Sequence, residues 1–154
     1  MFKEMRLKDM QMDESKAVAL LDKGEYGILS TIGENDYCYG TPLNYVYSKG
    51  AVYFHCAVEG HKLDNIQYHN KISFCVVGRT EILKKQFDTK YESVVVFGRA
   101  EEVKDEEKIN ALLDLVDKYS PEFKEAGKKY ISAEGHQTRV IKIVIDKISG
   151  KGIY

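Results

Sequence analysis

Runs of β-branched and aromatic residues joined by short turns constrain the fold of this chain more than any other feature. Four long runs are AVYFHCA (51–57), KISFCVVGRTEIL (71–83), ESVVVFGRAEEV (92–103) and TRVIKIVIDKISG (138–150). Two shorter runs are YGILST (26–31) and GTPLNYVYS (40–48). Such compositions favour strands, and the KG turn at 49–50 makes a hairpin of two of them. Six strands joined mainly by tight turns predict an antiparallel sheet that bends strongly or closes into a barrel.

Helical periodicity appears only between and around these runs. It predicts short helices over 13–24 and 60–70, and two more after residue 104. Gly98, inside a strand run, predicts a bulge. The interpretation is a mainly β, α+β fold, with peripheral helices covering an end of the barrel and a single domain over residues 1–154. The sequence has neither a GxGxxG motif nor the βαβ alternation of a dinucleotide-binding fold.

Composition narrows the classes of partner. A formal net charge of −1, with basic and acidic residues interleaved, argues against nucleic acid or an anionic membrane as partner. No run approaches the length of a membrane span, and the first residues contain no apolar signal segment. Three cysteines without a CxxC spacing indicate reduced thiols. We therefore expect a cytoplasmic protein.

The sequence GHK at residues 60–62 is a candidate anion site. A helix dipole is positive at its N-terminus, so acidic residues are favoured there, yet this helix opens with His61 and Lys62. Together with unpaired backbone N–H groups, these cations would hold a phosphate, and Gly60 would allow close approach. The alternative is that both side chains are simply exposed and are partly neutralised by nearby Glu59 and Asp64. The GxxxxGK spacing of a Walker A loop is absent.

Two further residues could line a pocket for a flat ring. Strand alternation puts His55 on one face of its strand with Tyr53, and Phe54 on the other face. Asn44 lies in an apolar strand run, and its amide suits a ring edge with alternating carbonyl and N–H groups. The alternatives are a half-buried histidine with one satisfied hydrogen bond and an outward-facing asparagine. No histidine or cysteine spacing predicts a metal site, and no GxSxG motif predicts a nucleophile.

In order and spacing, these segments resemble one family over nearly the whole chain. GEYGILSTIGENDYCYGTPLNYVY, VYFHCAVEGHKLDNI, ISFCVVG, YESVVVFGRAEEV and RVIKIVIDKISGK resemble the pyridoxamine 5′-phosphate oxidase-like FMN-binding split-barrel proteins. The branch most similar is the nitroimidazole resistance (Nim), or nitroimidazole reductase, group. The resemblance implies a homodimer of six-stranded split barrels with FMN at the subunit interface.

The resemblance also implies roles around the cofactor's phosphate. His61 and Lys62 match the family's basic pair at the FMN phosphate. Ser93 matches a hydroxyl position near the ribityl-phosphate chain. Arg139 is implied to reach the cofactor from the partner chain.

Other matched positions lie along the flavin ring. Ser30 and Thr31 match a strand whose end runs along the flavin, while Asn44 and Tyr45 match positions beside the isoalloxazine ring. His55 matches a histidine near the reactive face and is implied to be catalytic.

The function implied is an FMN-dependent oxidoreductase. Electrons would pass from reduced flavin to a small acceptor such as a nitroimidazole, whose nitro group would become an amine. The flavin would carry the electron chemistry, while the protein binds and orients it. The alternative is a non-enzymatic module of the same fold that binds or stores a flavin or haem.

Overall fold

A computed structural model describes residues 1–153, and these residues contain one seven-stranded antiparallel sheet. The strands are β1 Gly27–Ile32, β2 Cys38–Leu43, β3 Val46–Ser48, β4 Ala51–Cys56, β5 Lys71–Leu83, β6 Asp88–Val103 and β7 Arg139–Gly152. Their order across the sheet is β2-β1-β5-β6-β7-β4-β3. The mainly antiparallel fold is confirmed, as is the bulge at Gly98, where the β6–β7 register shifts.

The strand count is seven rather than six because the predicted strand 40–48 is broken. Residues 44–45 separate β2 from β3, and the break is held by two side chains of a helix. Tyr45 N–H donates to the Tyr119 hydroxyl at 3.0 Å, and the Tyr45 carbonyl accepts from Lys118 Nζ at 2.8 Å. These bonds replace the ladder bonds that the break removes, so the interruption leaves no backbone group of Tyr45 unpaired.

The break also shows that the sheet curls into a split barrel. β2 and β3 are the two edges of the sheet, yet only residues 44 and 45 connect them. In a flat sheet seven strands wide, the edges would be roughly 29 Å apart at about 4.8 Å per strand. A link of two residues spans about 10 Å. The sheet must therefore bend until its edges meet, while no pairing between β2 and β3 closes the seam.

The barrel interior is a continuous apolar core. Its largest completely buried side chains are Tyr45, Phe54 and Phe74, and the Tyr45 and Phe74 rings meet edge to face at 4.9 Å between centroids. Alternation along β4 is as predicted: Val52, Phe54 and Cys56 face this interior.

Four α-helices within residues 1–153 surround the barrel: α1 Glu14–Lys23, α2 His61–Tyr68, α3 Asp105–Tyr119 and α4 Lys124–Glu134. β1 begins beside the end of α1 and ends beside α2, so these two helices cover opposite ends of the barrel, where Leu21 and Leu63 join its core. α3 and α4 pack on the outer face of β4 around a second apolar cluster that includes Tyr53 and Leu115. None of the described helices is both long and apolar enough to cross a bilayer.

Candidate cofactor and acceptor site

The connection between β4 and α2 places the predicted anion site at the barrel mouth. Gly60 has a φ of 156°, a conformation that favours glycine, and a β-carbon built there would meet nothing within 4 Å. The space above this backbone is open to a ligand. The first helical hydrogen bond runs from Asp64 N–H to the Gly60 carbonyl, and no side chain caps the start of α2. The N–H groups of its first turn are thus free to bind an anion.

The first turn of α2 has His61 and Lys62 at its start and the acidic Asp64 at its fourth position. α1, α3 and α4 each begin with an acidic residue at their first or second position, whereas α2 begins with His61 and Lys62. The His61 imidazole stacks on the Tyr39 ring of β2, with 3.9 Å between centroids. Burial, followed by the charge of Lys62, lowers the pKa of His55. Lys62 therefore brings positive charge close to His55 as well as to the helix start.

Arg139 makes two polar contacts within its own chain. Its guanidinium donates to the Val58 carbonyl at 3.1 Å and to Glu102 Oε1 at 2.6 Å, all within one chain. It lies opposite Cys56 in the β4–β7 ladder. The bond to Val58 therefore ties the loop between β4 and α2 to β7, and the ion pair with Glu102 holds the guanidinium in place.

The Glu102–Arg139 pair predicts an acid-sensitive stability. The hydrogen bond from Arg139 lowers the pKa of Glu102 below its ordinary value of 4.5. Because the pKa of Glu102 is lower in the folded state, the unfolded chain binds more protons in acid than the folded chain does. The contribution of the ion pair to the free energy of unfolding is therefore complete above pH 4.5 and is lost as the pH falls below that value. Glu102→Gln should therefore flatten the decline of thermal stability between pH 5 and pH 3. Glu101→Gln, at the exposed neighbouring position, is the control and should keep the wild-type slope. Identical slopes for wild type and Glu102→Gln would contradict this role.

Ser30 and Thr31 occupy different environments, although they are neighbours on β1. Thr31 is 1% exposed, and its hydroxyl accepts from Asn65 Nδ2 at 3.0 Å. This bond fastens α2 to the barrel and gives the buried Thr31 hydroxyl a protein partner, while Thr31 also lines the groove beside Ser30. Ser30 is half-buried on the outer sheet face, beside a groove that Phe97 and His69 also line.

Asn44 and His55 are 11 residues apart, on either side of the β3–β4 hairpin, and both line one cavity. They lie at one end of a cleft of about 560 Å³ between α3 and α4. The Asn44 amide donates to the Glu25 carbonyl at 2.9 Å, which leaves its oxygen and second N–H for another partner. Tyr119 also lines the cleft, and its hydroxyl lies 2.6 Å from the same Glu25 carbonyl.

Tyr45 and Ser93 are not brought to this cleft within one chain. The Tyr45 side chain is completely buried, and its hydroxyl donates to the Leu21 carbonyl inside the barrel. It supports the position of Asn44 instead of offering a ring to a ligand. Ser93 lies on β6, four residues from Phe97, which is level with Ser30 across the sheet. Ser93 thus lies roughly 13 Å along the strand from the level of Ser30.

Sequence reasoning missed several residues that shape the site. Tyr39 stacks on His61, and Asn65 fastens α2 to β1. Glu102 pairs with Arg139, and Tyr119 binds the backbone at the break between β2 and β3. Alternation along β2 could have indicated Tyr39, but no local signal pointed to the others.

Comparison with known proteins assigns the family. A family model described as pyridoxamine 5′-phosphate oxidase matches residues 13–152. The chain belongs to the pyridoxamine 5′-phosphate oxidase family. The match covers all seven strands and all four described helices of this family member, including the whole β4–α2 segment. No curated protein matches the chain.

Solved structures share the fold of this family member at low sequence identity. A candidate 5-nitroimidazole antibiotic resistance protein from Bacteroides thetaiotaomicron is 19% identical, with a TM-score of 0.76 over 92% of this chain and 86% of that one. A flavocytochrome from Azotobacter vinelandii is 23% identical, with a TM-score of 0.83 over 98% and 72%. A FAD-binding protein from Mesorhizobium loti is 20% identical, with a TM-score of 0.65 over 94% and 97%. These likenesses establish a common fold.

Proposed function

We propose that this family member is an FMN-dependent oxidoreductase that passes electrons from reduced flavin to a small acceptor such as a nitroimidazole. The observation that carries the proposal is the open, cationic start of α2 beside the cleft that holds Asn44 and His55. The names of the flavocytochrome and of the FAD-binding protein support a flavin, and that of the nitroimidazole resistance protein supports the acceptor.

The residues present fit the parts of FMN. His61, Lys62 and the free N–H groups of the first helical turn would bind its single phosphate, and Gly60 leaves room for it. The ring would lie toward His55 and Asn44. The uncommitted amide groups of Asn44 match the alternating carbonyl and N–H edge of an isoalloxazine.

A homodimer would complete this site. The outer face of β1, β5 and β6 carries apolar side chains that remain accessible, among them Val77, which is 59% exposed, and Phe97, which is 40% exposed. Ser93 lies on the same face as Ser30 by strand alternation. Pairing this face with a second copy would bury its apolar groups and could bring Ser93 to the partner's cofactor. A solution mass of twice 17.6 kDa in analytical ultracentrifugation is expected; a monomer in the presence of FMN would refute the dimer.

Two broader proposals follow from the same structure. We propose a single domain, because all seven strands form one sheet, and a cytoplasmic protein, because Cys38, Cys56 and Cys75 are free thiols. Limited proteolysis that released a separately folded piece would refute the first. Recovery of the protein outside the cytoplasmic fraction would refute the second.

Bound FMN would supply electrons in pairs, and the protein would supply position and protons. Reduction of a nitro group to an amine takes six electrons and six protons and releases two waters, through nitroso and hydroxylamine stages of two electrons each. An external reductant, dithionite in the test below, would reduce the flavin again before each stage. His55 lies where it could donate a proton to an acceptor in the cleft. Because burial and Lys62 lower its pKa, its protonated form gives up a proton more readily than an ordinary imidazolium does.

The test loads the protein with FMN, reduces it anaerobically with dithionite and adds 2-methyl-5-nitroimidazole. Return of the oxidised flavin band is expected, and His55→Ala should slow it about 100-fold while FMN affinity stays within threefold of wild type. The wild-type rate should decline as the pH rises through the lowered pKa of His55. An equal rate in His55→Ala would remove His55 from catalysis. FMN binding without any electron transfer would favour the storage module, and a haem spectrum in place of a flavin spectrum would refute FMN as cofactor.

A further inference from the structure

The cleft between α3 and α4 has the character of a small-molecule site of its own. Its volume of about 560 Å³ lies within the range of ligand pockets, and its walls are mainly apolar. Leu112, Leu115 and Val116 form one wall, and Ile131 belongs to the other. At the rim, Phe123 is 64% exposed and Tyr130 is 70% exposed. Two accessible aromatic rings beside an apolar hollow are suited to enclose a flat ligand.

The helices α3 and α4 approach each other closely at one point beside the cleft. A β-carbon at Gly127 of α4 would lie 2.7 Å from a methyl group of Val116 on α3, so the helices make close contact there. The cleft lies beside this contact and above His55 of β4. The hollow is therefore a consequence of where the helices touch.

The charges that line the cleft disfavour phosphorylated ligands. No lysine or arginine is among the described residues that line it, and Glu134 contributes a carboxylate. Two lysines of α4 are engaged elsewhere: Lys124 pairs with Asp117 at 3.1 Å, and Lys128 pairs with Glu125 at 3.3 Å. A phosphate in this cleft would meet the like charge of Glu134 and would have no lysine or arginine among the described lining residues to pair with.

Polar groups are supplied to the cleft lining by Asn44, His55, Tyr119, Ser120 and Thr138. Asn44 and His55 lie where the cleft reaches β4, and the lowered pKa of His55 keeps its imidazole largely neutral near pH 7. A neutral imidazole and an amide offer both donors and acceptors. Lys62, which acts on His55 from α2, belongs to the proposed phosphate site and is not part of the cleft lining.

We propose that the α3–α4 cleft binds the electron acceptor, and that this acceptor is an uncharged aromatic molecule whose polar group meets His55. The description of the ligand as an electron acceptor rests on the proposed function, whereas its binding in the cleft does not. The cleft selects against phosphorylated substrates, so the phosphorylated amine in the family's name is not what this chain accommodates there.

A matched pair of probes tests the ligand class on the full-length chain. The uncharged probe is 4-nitrobenzyl alcohol and the charged one is 4-nitrophenyl phosphate, and binding is followed by the methyl NMR signals of Leu115 and Ile131. The alcohol should shift these signals and saturate, while the phosphate ester should bind at least about tenfold more weakly. Equal affinity for the two probes would overturn the proposal, as would an alcohol that leaves both signals unmoved.

Two variants test the location. Ala126→Trp places a large ring in the cleft from α4 and should weaken alcohol binding at least about tenfold. Ala133→Trp makes the same change on the same helix outside the cleft lining and should bind as wild type does. Equal binding by both variants would overturn the location. Glu134→Lys introduces a cation and should raise affinity for the phosphate ester at least about fivefold; an unchanged affinity would contradict the charge argument.

An FMN titration of the same proteins separates this proposal from the proposed function. The wild-type titration decides the outcome, because Ala126 lines the same cleft as Asn44 and His55, toward which the flavin ring is proposed to lie. If the alcohol binds in the cleft but the wild type binds no FMN, the cleft assignment stands and the proposed function fails. If FMN binds and the alcohol does not, the cleft assignment fails alone.

Discussion

Replacing His61 and Lys62 together by alanine is expected to weaken FMN binding at least about 100-fold. Hydrogen bonds to charged groups contribute about 1.5–3 kcal/mol each, and both side chains are assigned to the same phosphate. The free N–H groups of the first turn of α2 would remain, so binding should be weakened and not abolished. Quenching of flavin fluorescence on titration with protein measures the affinity.

Riboflavin is the sharpest control for this variant because it lacks only the phosphate. Its affinity should be the same in wild type and in the double variant to within about threefold. A second control, Lys129→Ala with His136→Ala, removes the same two side-chain types from the α4 region and should leave FMN affinity unchanged. If the double variant binds FMN like wild type, the phosphate does not lie at α2. If the double variant loses affinity for riboflavin as much as for FMN, the two residues act on the fold of the site and not on the phosphate.

The strands were predictable because their signal is local. β-branched runs, a KG turn and a glycine in a strand are visible within ten residues, and the hairpin of β3 with β4 and the bulge at Gly98 follow from them. The break at 44–45 was not predictable in this way, because both residues are compatible with a strand. It results from contacts with Lys118 and Tyr119, which are more than 70 residues away in sequence.

In the candidate site, too, the features with a local sequence signal were predicted and those that depend on distant contacts were not. The cationic start of α2 and the exposed face of His55 were found from neighbours in sequence. The partners of Arg139 were not found, because Glu102 is 37 residues away and meets it only across β6 and β7. The burial of Thr31 beneath α2 likewise depends on Asn65, a contact across 34 residues. Local patterns identify which residues are charged, and tertiary pairing determines which charges are free for a ligand.

Phe74→Ala is expected to lower the free energy of unfolding by about 3–5 kcal/mol, the usual cost of removing a buried aromatic ring. Phe74 is completely buried and meets the Tyr45 ring edge to face. Its own ring fills the space that Gly27 leaves, since a β-carbon at Gly27 would overlap it. The two residues are complementary, so alanine at 74 would leave a cavity that neighbouring backbone cannot readily fill.

The matched control for this variant is Phe87→Ala, which removes the same ring from a position that is 96% exposed. Its stability should change by less than about 0.5 kcal/mol. At about 2–4 °C per kcal/mol for a chain of this size, Phe74→Ala should lower the melting temperature by roughly 6–20 °C at equal protein concentration.

Phe74 also supports Tyr45, the residue next to Asn44, so FMN affinity at a temperature where the variant is folded should fall as well. Equal melting temperatures for the two variants would contradict a packed barrel interior at Phe74, and unchanged FMN affinity would show that the barrel core and the position of Asn44 are independent.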